Sequence, residues 1–92
     1  MNWNPLVRRQ EKVALHVAAV LLALPDEDHY GLDLCQRTRS SSGLVYPALI
    51  AFEEEGWVDS GWQDNPEPGR RPRRWYRVSE TGRRALAALL RG

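Results

Sequence analysis

Between Asp64 and Pro72 the chain reads D-N-P-E-P-G-R-R-P, with three prolines in its last seven residues. Proline lacks the donor that a β-ladder or a helix interior needs, so this stretch has to project as a loop. On either side lie residues of strand composition, Trp57 to Gln63 and Arg73 to Val78. They can only be antiparallel partners joined by that loop. The loop also carries G-R-R-P-R-R, placing Arg70, Arg71, Arg73 and Arg74 at or beside its tip. Guanidiniums clustered on a stiffened tip make a poor core element and a good grip on phosphate oxygens.

The rest of the chain reads as helix. Leu6 to Leu24 forms the first, with Asn4 able to cap it and Pro5 suited to its first position. Val13, Val17, Val20, Leu21 and Leu24 recur at helical spacing, and Ala14, Leu15, Ala18, Ala19 and Leu22 widen the apolar face. A helix apolar around most of its circumference needs cover on two sides, its own domain on one and a second subunit on the other. Asp26-Glu27-Asp28 supplies a cap and dipole-matched charge for a second helix from about His29 to Arg37, with Leu32, Leu34 and Cys35 inward. A turn over Thr38 to Ser41 leads to a third helix from Ser42 to Glu55, where Val45, Leu49 and Phe52 form the buried edge. Pro47 lies one turn inside it and presses on the carbonyl of flexible Gly43, and Gly56 is the expected left-handed stop. Ser79 caps a last helix through about Arg91, with Leu86, Leu89 and Leu90 apolar.

Ninety-two residues with 42% hydrophobic content allow one domain, residues 1–92, with a thin core that a second copy would help stabilise. The formal charge of +1 hides an uneven distribution: residues 69–92 carry +7, residues 26–68 carry −8. A cationic end favours a polyanionic partner on one side of the molecule. The single Cys35 excludes an internal disulfide and fits a reducing cytoplasm. The apolar run from Val13 to Leu24 is too short to span a bilayer, and no secretory signal is visible, so a cytoplasmic location without membrane contact is expected.

Helix, turn, serine-led helix, strand, basic tip, strand: this order predicts a mainly α fold with a small β-hairpin, the winged helix-turn-helix, with a three-helix core, a two-stranded wing and a short C-terminal helix. Its third helix would enter a major groove with Ser41, Ser42, Gly43 and Tyr46 leading. Tyr46 follows buried Val45, so it should face outward, its hydroxyl within reach of a phosphate. Wing residues Arg70 and Arg71 would grip the backbone or minor groove, with Arg73 and Arg74 partly used within the strands. Arg37 and Arg39 flank the turn where phosphates would pass, although Arg37 equally suits the C-terminal dipole of its own helix. The bland readings compete: serines that merely cap, a Tyr46 that packs, and exposed arginines that only solvate a face. Strand alternation puts Tyr76 and Val78 on one face and Trp75 on the other, so Trp57, Trp62, Trp75 and Tyr76 read as core or dimer packing before base stacking.

Cys35, His16 and His29 have no metal-ligand spacing and no catalytic set, so neither enzyme activity nor a metal or cofactor is expected. Cys35 reads as a small buried hydrophobe. Glu53-Glu54-Glu55 points in three directions on a helix and is no carboxylate site.

H-Y-G-L-D-L (His29 to Leu34), S-G-L-V-Y-P-A-L (Ser42 to Leu49), F-E-E-E-G-W-V (Phe52 to Val58) and G-R-R-P-R-R-W-Y-R-V-S-E-T-G (Gly69 to Gly82) together resemble the PadR family of transcriptional regulators. The resemblance covers about Val13 to Leu86 and implies a dimeric winged helix, joined through its first and last helices, that represses transcription from an inverted-repeat operator in double-stranded DNA. Three departures stand out. Leu32 follows the glycine where the family commonly has Tyr, which here precedes it as Tyr30. Ile50 and Ala51 replace bases that often follow Y-P-x-L. The last helix is about three turns long, which argues against a drug-sized effector cavity like that of some relatives. The rival reading is a winged helix used as an architectural or protein-interaction accessory, for instance in phage or plasmid recombination, its acidic middle meeting a basic partner.

Overall fold

The computed structural model describes residues 5–92, with side chains from Arg9 onward; Asn4, the expected cap, and Trp3 lie outside the described residues. The elements are α1 (Pro5–Ala23), β1 (His29–Tyr30), α2 (Gly31–Thr38), α3 (Ser42–Glu54), β2 (Val58–Trp62), β3 (Arg74–Val78) and α4 (Glu80–Arg91). The sheet has order β1-β3-β2 and is antiparallel throughout.

Helical spacing places Val13, Val17 and Leu21 of α1 against Leu34 of α2 and Val45, Leu49 and Phe52 of α3. Val58, Tyr76 and Val78 close this core from the sheet and Leu86 from α4. Leu21, Leu34, Leu49 and Leu86 are fully buried, each contributing about 2 kcal/mol over exposure. Alternation along β3 sends Tyr76 and Val78 inward, while Trp75 lies over Gly61 on the opposite face. Trp57 packs on Phe52 with ring centroids 5.8 Å apart. Gly56 takes φ 77°, the left-handed conformation that ends α3 and turns the chain into β2.

The second helix departs from its expected limits. His29 and Tyr30 are strand, pairing with Tyr76 and Trp75, and α2 begins only at Gly31. The cause is the passage of β3 alongside, which holds Tyr30 extended as the sheet edge, while the His29 imidazole donates to the nearby Leu24 carbonyl at 2.8 Å. Asp26-Glu27-Asp28 therefore does not cap α2. Instead Asp28 accepts from Arg77 at 2.8 Å and Asp26 pairs with Arg83, fastening this segment to β3 and α4. Leu32 stands two residues from buried Leu34, about 200° around the helix, and faces solvent rather than the core.

At its C-terminus α2 closes on Arg39, with φ 52°, the Arg39 amide donating to Gln36 and the Ser40 amide to Cys35. This is the paired bonding of a Schellman stop, with arginine where glycine is usual. A turn of three residues then leads into α3, which stays helical through Pro47.

Candidate nucleic-acid interface

Along the turn that joins the two helices Arg37, Arg39, Ser41, Ser42 and Gly43 are all exposed. Ser41 occupies the N-cap position of α3, yet its side chain makes no capping bond, and Ser40 bonds back to the Thr38 carbonyl instead. The positive end of the α3 dipole is thus left uncapped by the Ser41 side chain, with exposed Ser41, Ser42 and Gly43 at its start.

Tyr46 is placed differently from the outward orientation expected of it. Its ring lies directly over Gly31, filling the space of the missing side chain, and it is half-buried against the core. Burial, with Cys35 and Tyr76 adding to it, raises the phenol above its ordinary pKa of 10.0. The N-terminal turn of α2 and the second turn of α3 are locked together by this contact, so Tyr46 sets the angle between the two helices. Cys35 is half-buried beside the same core, and its thiol is likewise raised by burial, against a smaller lowering by a backbone hydrogen bond.

The wing is built in two parts. At the tip, Glu67-Pro68-Gly69-Arg70 forms a tight turn, the Arg70 amide donating to the Glu67 carbonyl at 3.0 Å and Gly69 supplying φ 82°. Arg70 and Arg71 are exposed there and, with Gln63, Pro66, Glu67 and Arg73, enclose a concavity of about 230 Å³. Glu67 is the one acid in it, 3.6 Å from Arg70, an exposed pair that solvent weakens. At the root, the arginines are held. Arg74 donates to Ser60 Oγ at 2.7 Å, lies 3.7 Å from Glu53 and stacks 5.0 Å from the Trp62 ring. Arg73 lies 3.8 Å over the Tyr30 ring and 3.9 Å from Asp33.

Between wing root and helices runs a cleft of about 330 Å³. Tyr46 and Gly31 form one wall, and Trp62, Pro72, Arg73 and Arg74 the other. Tyr46, in the second turn of α3, and the base of the wing border the same depression. Of the core or dimer packing expected of Trp62, the structure excludes the core: the residue is 61% exposed at the end of β2.

The charge blocks of the sequence are partly reconciled in space: Arg77 and Arg83 answer Asp28 and Asp26, and Arg73 and Arg74 answer Asp33 and Glu53. Among the described residues no group of three or more metal-ligating side chains converges, and no helix is long and apolar enough to cross a membrane.

A helix-turn-helix carried on a third helix, followed by an antiparallel wing and a closing helix, is the winged helix-turn-helix fold. Residues 20–88 match the model of the PadR-like family of transcriptional regulators, and the chain belongs to that family. Its fold is similar to that of the circadian clock associated protein Pex from Anabaena, at 27% identity and TM-score 0.72, covering 89% of this chain and 74% of that one. Pex from Synechococcus sp. is 31% identical with TM-score 0.66, over 86% of this chain and 79% of its own. A PadR family transcription regulator from Clostridium difficile shares the fold at 21% identity and TM-score 0.67, covering 83% and 80% of the two chains. No curated protein matches the chain significantly. PadR-like proteins regulate transcription by binding DNA and are not, as a family, enzymes.

Proposed function

We propose that this chain is a sequence-specific double-stranded DNA-binding regulator that acts as a homodimeric repressor on an inverted-repeat operator. The observations that carry the reading are an exposed, serine-led start of α3 that its own side chain leaves uncapped and an exposed arginine tip on the wing that follows, which the reading sets on one face. A duplex laid on that face meets Ser41, Ser42 and Gly43 in its major groove, with Arg37 and Arg39 on the phosphates beside the turn. Arg70 and Arg71 meet the adjoining backbone or minor groove. Tyr46 contributes by fixing α3 on α2, and Arg73 and Arg74 by shaping the wing root. The left-handed Arg39 supports the same reading, because glycine would be unstrained there and would lack a side chain for the phosphates.

Two copies joined through α1 and α4 give the two-fold symmetry from which an inverted repeat follows. The accessory reading leaned on a free acidic middle. Asp26, Asp28, Asp33 and Glu53 are engaged with arginines of the same chain, which leaves less of that surface for a basic partner. The protein acts in the cytoplasm without a cofactor or membrane partner, and a small-molecule effector is not needed to explain any feature of the site.

Selection of bound fragments from random duplex DNA, followed by titration across salt, tests the proposal. An enriched palindromic motif is expected. The double variant Arg70→Ala with Arg71→Ala should weaken binding to every sequence and lower the salt slope by about 0.9 for each phosphate left without its arginine. Absence of any enriched motif, with no duplex preference at moderate salt, would remove the regulator reading.

A further inference from the structure

The exposed large apolar side chains fall into separate groups. Leu15, Leu24, Leu89 and Leu90 lie on or just beyond α1 and α4, the face given above to a second subunit, and Ile50 stands on α3. Leu32 and Trp62 belong with none of these. They are the most exposed of the set, at 63% and 61%, and both line the cleft between α2, α3 and the wing root.

That cleft has an unusual chemistry for a solvent-facing surface. Tyr30, Tyr46, Tyr76, Leu32 and Trp62 supply apolar and aromatic carbon, and guanidiniums stand above two of the rings, Arg73 at 3.8 Å from Tyr30 and Arg74 at 5.0 Å from Trp62. An exposed apolar pair beside fixed cations marks a contact surface for something that is itself part apolar and part anionic. The backbone of DNA has this make-up, since each deoxyribose turns a C–H face outward between two phosphates.

We infer that the cleft seats one sugar–phosphate unit of the bound duplex, the deoxyribose against Trp62 and Leu32 and its phosphate on Arg73. The inference rests on the DNA-binding reading and deepens it by adding apolar contacts to the arginine grip. Arg73 is the phosphate ligand and Arg74 is not, because Arg74 already donates to Ser60 and faces Glu53. Among the described residues the Arg73 guanidinium meets a single acid, Asp33, at 3.9 Å with both side chains about half exposed, and a phosphate can take that place above the Tyr30 ring. The wing root thereby fixes the register of the backbone while the tip and α3 reach further along it.

The test uses the whole chain and a fluorescein-labelled random-sequence duplex, followed by anisotropy over a range of salt. Trp62→Ala should bind roughly tenfold more weakly with an unchanged salt slope, because an apolar contact releases no counterions. Trp62→Phe should restore most of the affinity, and both variants should melt with the wild type, since the side chain is outside the core. Tryptophan emission should change when duplex is added to the wild type and stay constant in Trp62→Ala. Wild-type affinity in Trp62→Ala, a DNA-induced emission change that persists without Trp62, or a flattened slope in that variant would each overturn the apolar contact. A wild type that ignores duplex altogether would instead defeat the DNA-binding reading, and this inference with it. A small organic acid that binds the wild type but not Trp62→Ala, and does so without displacing the duplex, would reassign the cleft as a ligand pocket.

Discussion

The main-chain carbonyl of Trp57 lies against the α-carbon of Gly82, in the space where a β-carbon on that residue would stand. The contact is held from both ends. The Ser79 amide donates to the same Trp57 carbonyl at 3.0 Å, and the Ser79 hydroxyl bonds the Gly56 carbonyl at 2.6 Å and accepts from the Gly82 amide. This is how the S-E-T-G segment docks α4 onto the start of the wing. Its glycine serves a close approach of backbones rather than a special φ.

Gly82→Ala should therefore destabilise the fold by about 2 kcal/mol, the steric overlap outweighing the ~1 kcal/mol that alanine gains in helix propensity. Gly43→Ala is the contrast, since a β-carbon there meets only the Ser41 hydroxyl at 3.9 Å. It should match or exceed wild-type stability. Urea denaturation of the two variants checks the pair, and equal stabilities would show that α4 can retreat from Trp57 at little cost.

Arg39→Gly should move stability and affinity in opposite directions. A left-handed L-residue is strained by roughly 1–2 kcal/mol, part of which the greater freedom of glycine in the unfolded chain offsets. A net gain of about 0.5–1 kcal/mol is expected in denaturation, together with weaker duplex binding and a shallower salt slope. Improved stability with unaltered binding would leave Arg39 without a functional reason for its conformation.

How far the sequence foretold this molecule depends on how local each cause is. The long helices were legible because Val13, Val17 and Leu21, or Val45, Leu49 and Phe52, repeat with the helix itself. The hairpin was legible because Pro66, Pro68 and Pro72 force the segment between its strands out as a loop and leave the flanking residues to pair. β1 was not, since two residues carry no periodicity and pair only because β3 passes beside them. The same holds for Tyr46, whose inward orientation needs the bare backbone of Gly31 opposite, and for Asp28 and Asp26, whose partners Arg77 and Arg83 lie some fifty residues away. Within the candidate interface, the tip arginines and the serine-led helix were visible in the sequence. The exposure of Trp62 was not, because it depends on where the ladder ends, whereas that of Leu32 was open to view, two residues and about 200° of helix from buried Leu34.

Alkaline conditions should loosen the joint between α2 and α3. Burial holds both Cys35 and Tyr46 above their ordinary values of 9.0 and 10.0, so the folded chain keeps protons that the unfolded chain has released. Below about pH 8 both groups are protonated in either state and contribute no slope. As pH climbs past the ordinary thiol and phenol values, the unfolded state is favoured, and this contribution to stability is lost by the time the raised folded values are passed. Urea midpoints measured upward from pH 8 should decline, and Tyr46→Phe should decline less steeply than wild type. An identical decline in both would place the alkaline sensitivity on other groups.

The α1 and α4 face makes the remaining prediction. Glu11, Ala14, Leu15 and Leu89 line an open groove of about 360 Å³, with Leu90 exposed nearby on the same short helix. A core of this size gains from covering such a surface, and a second copy covers both grooves at once by two-fold symmetry. Melting of the wild type should therefore rise with protein concentration. Leu15→Glu combined with Leu89→Glu places carboxylates in the groove beside Glu11 and should yield a folded monomer in sedimentation. Leu15 and Leu89 are more than a third exposed, so the core survives the change. A monomer grips half as many phosphates, so its salt slope on operator DNA should fall to about half that of the dimer. A variant that still sediments as a dimer with an undiminished slope would assign subunit pairing to another face.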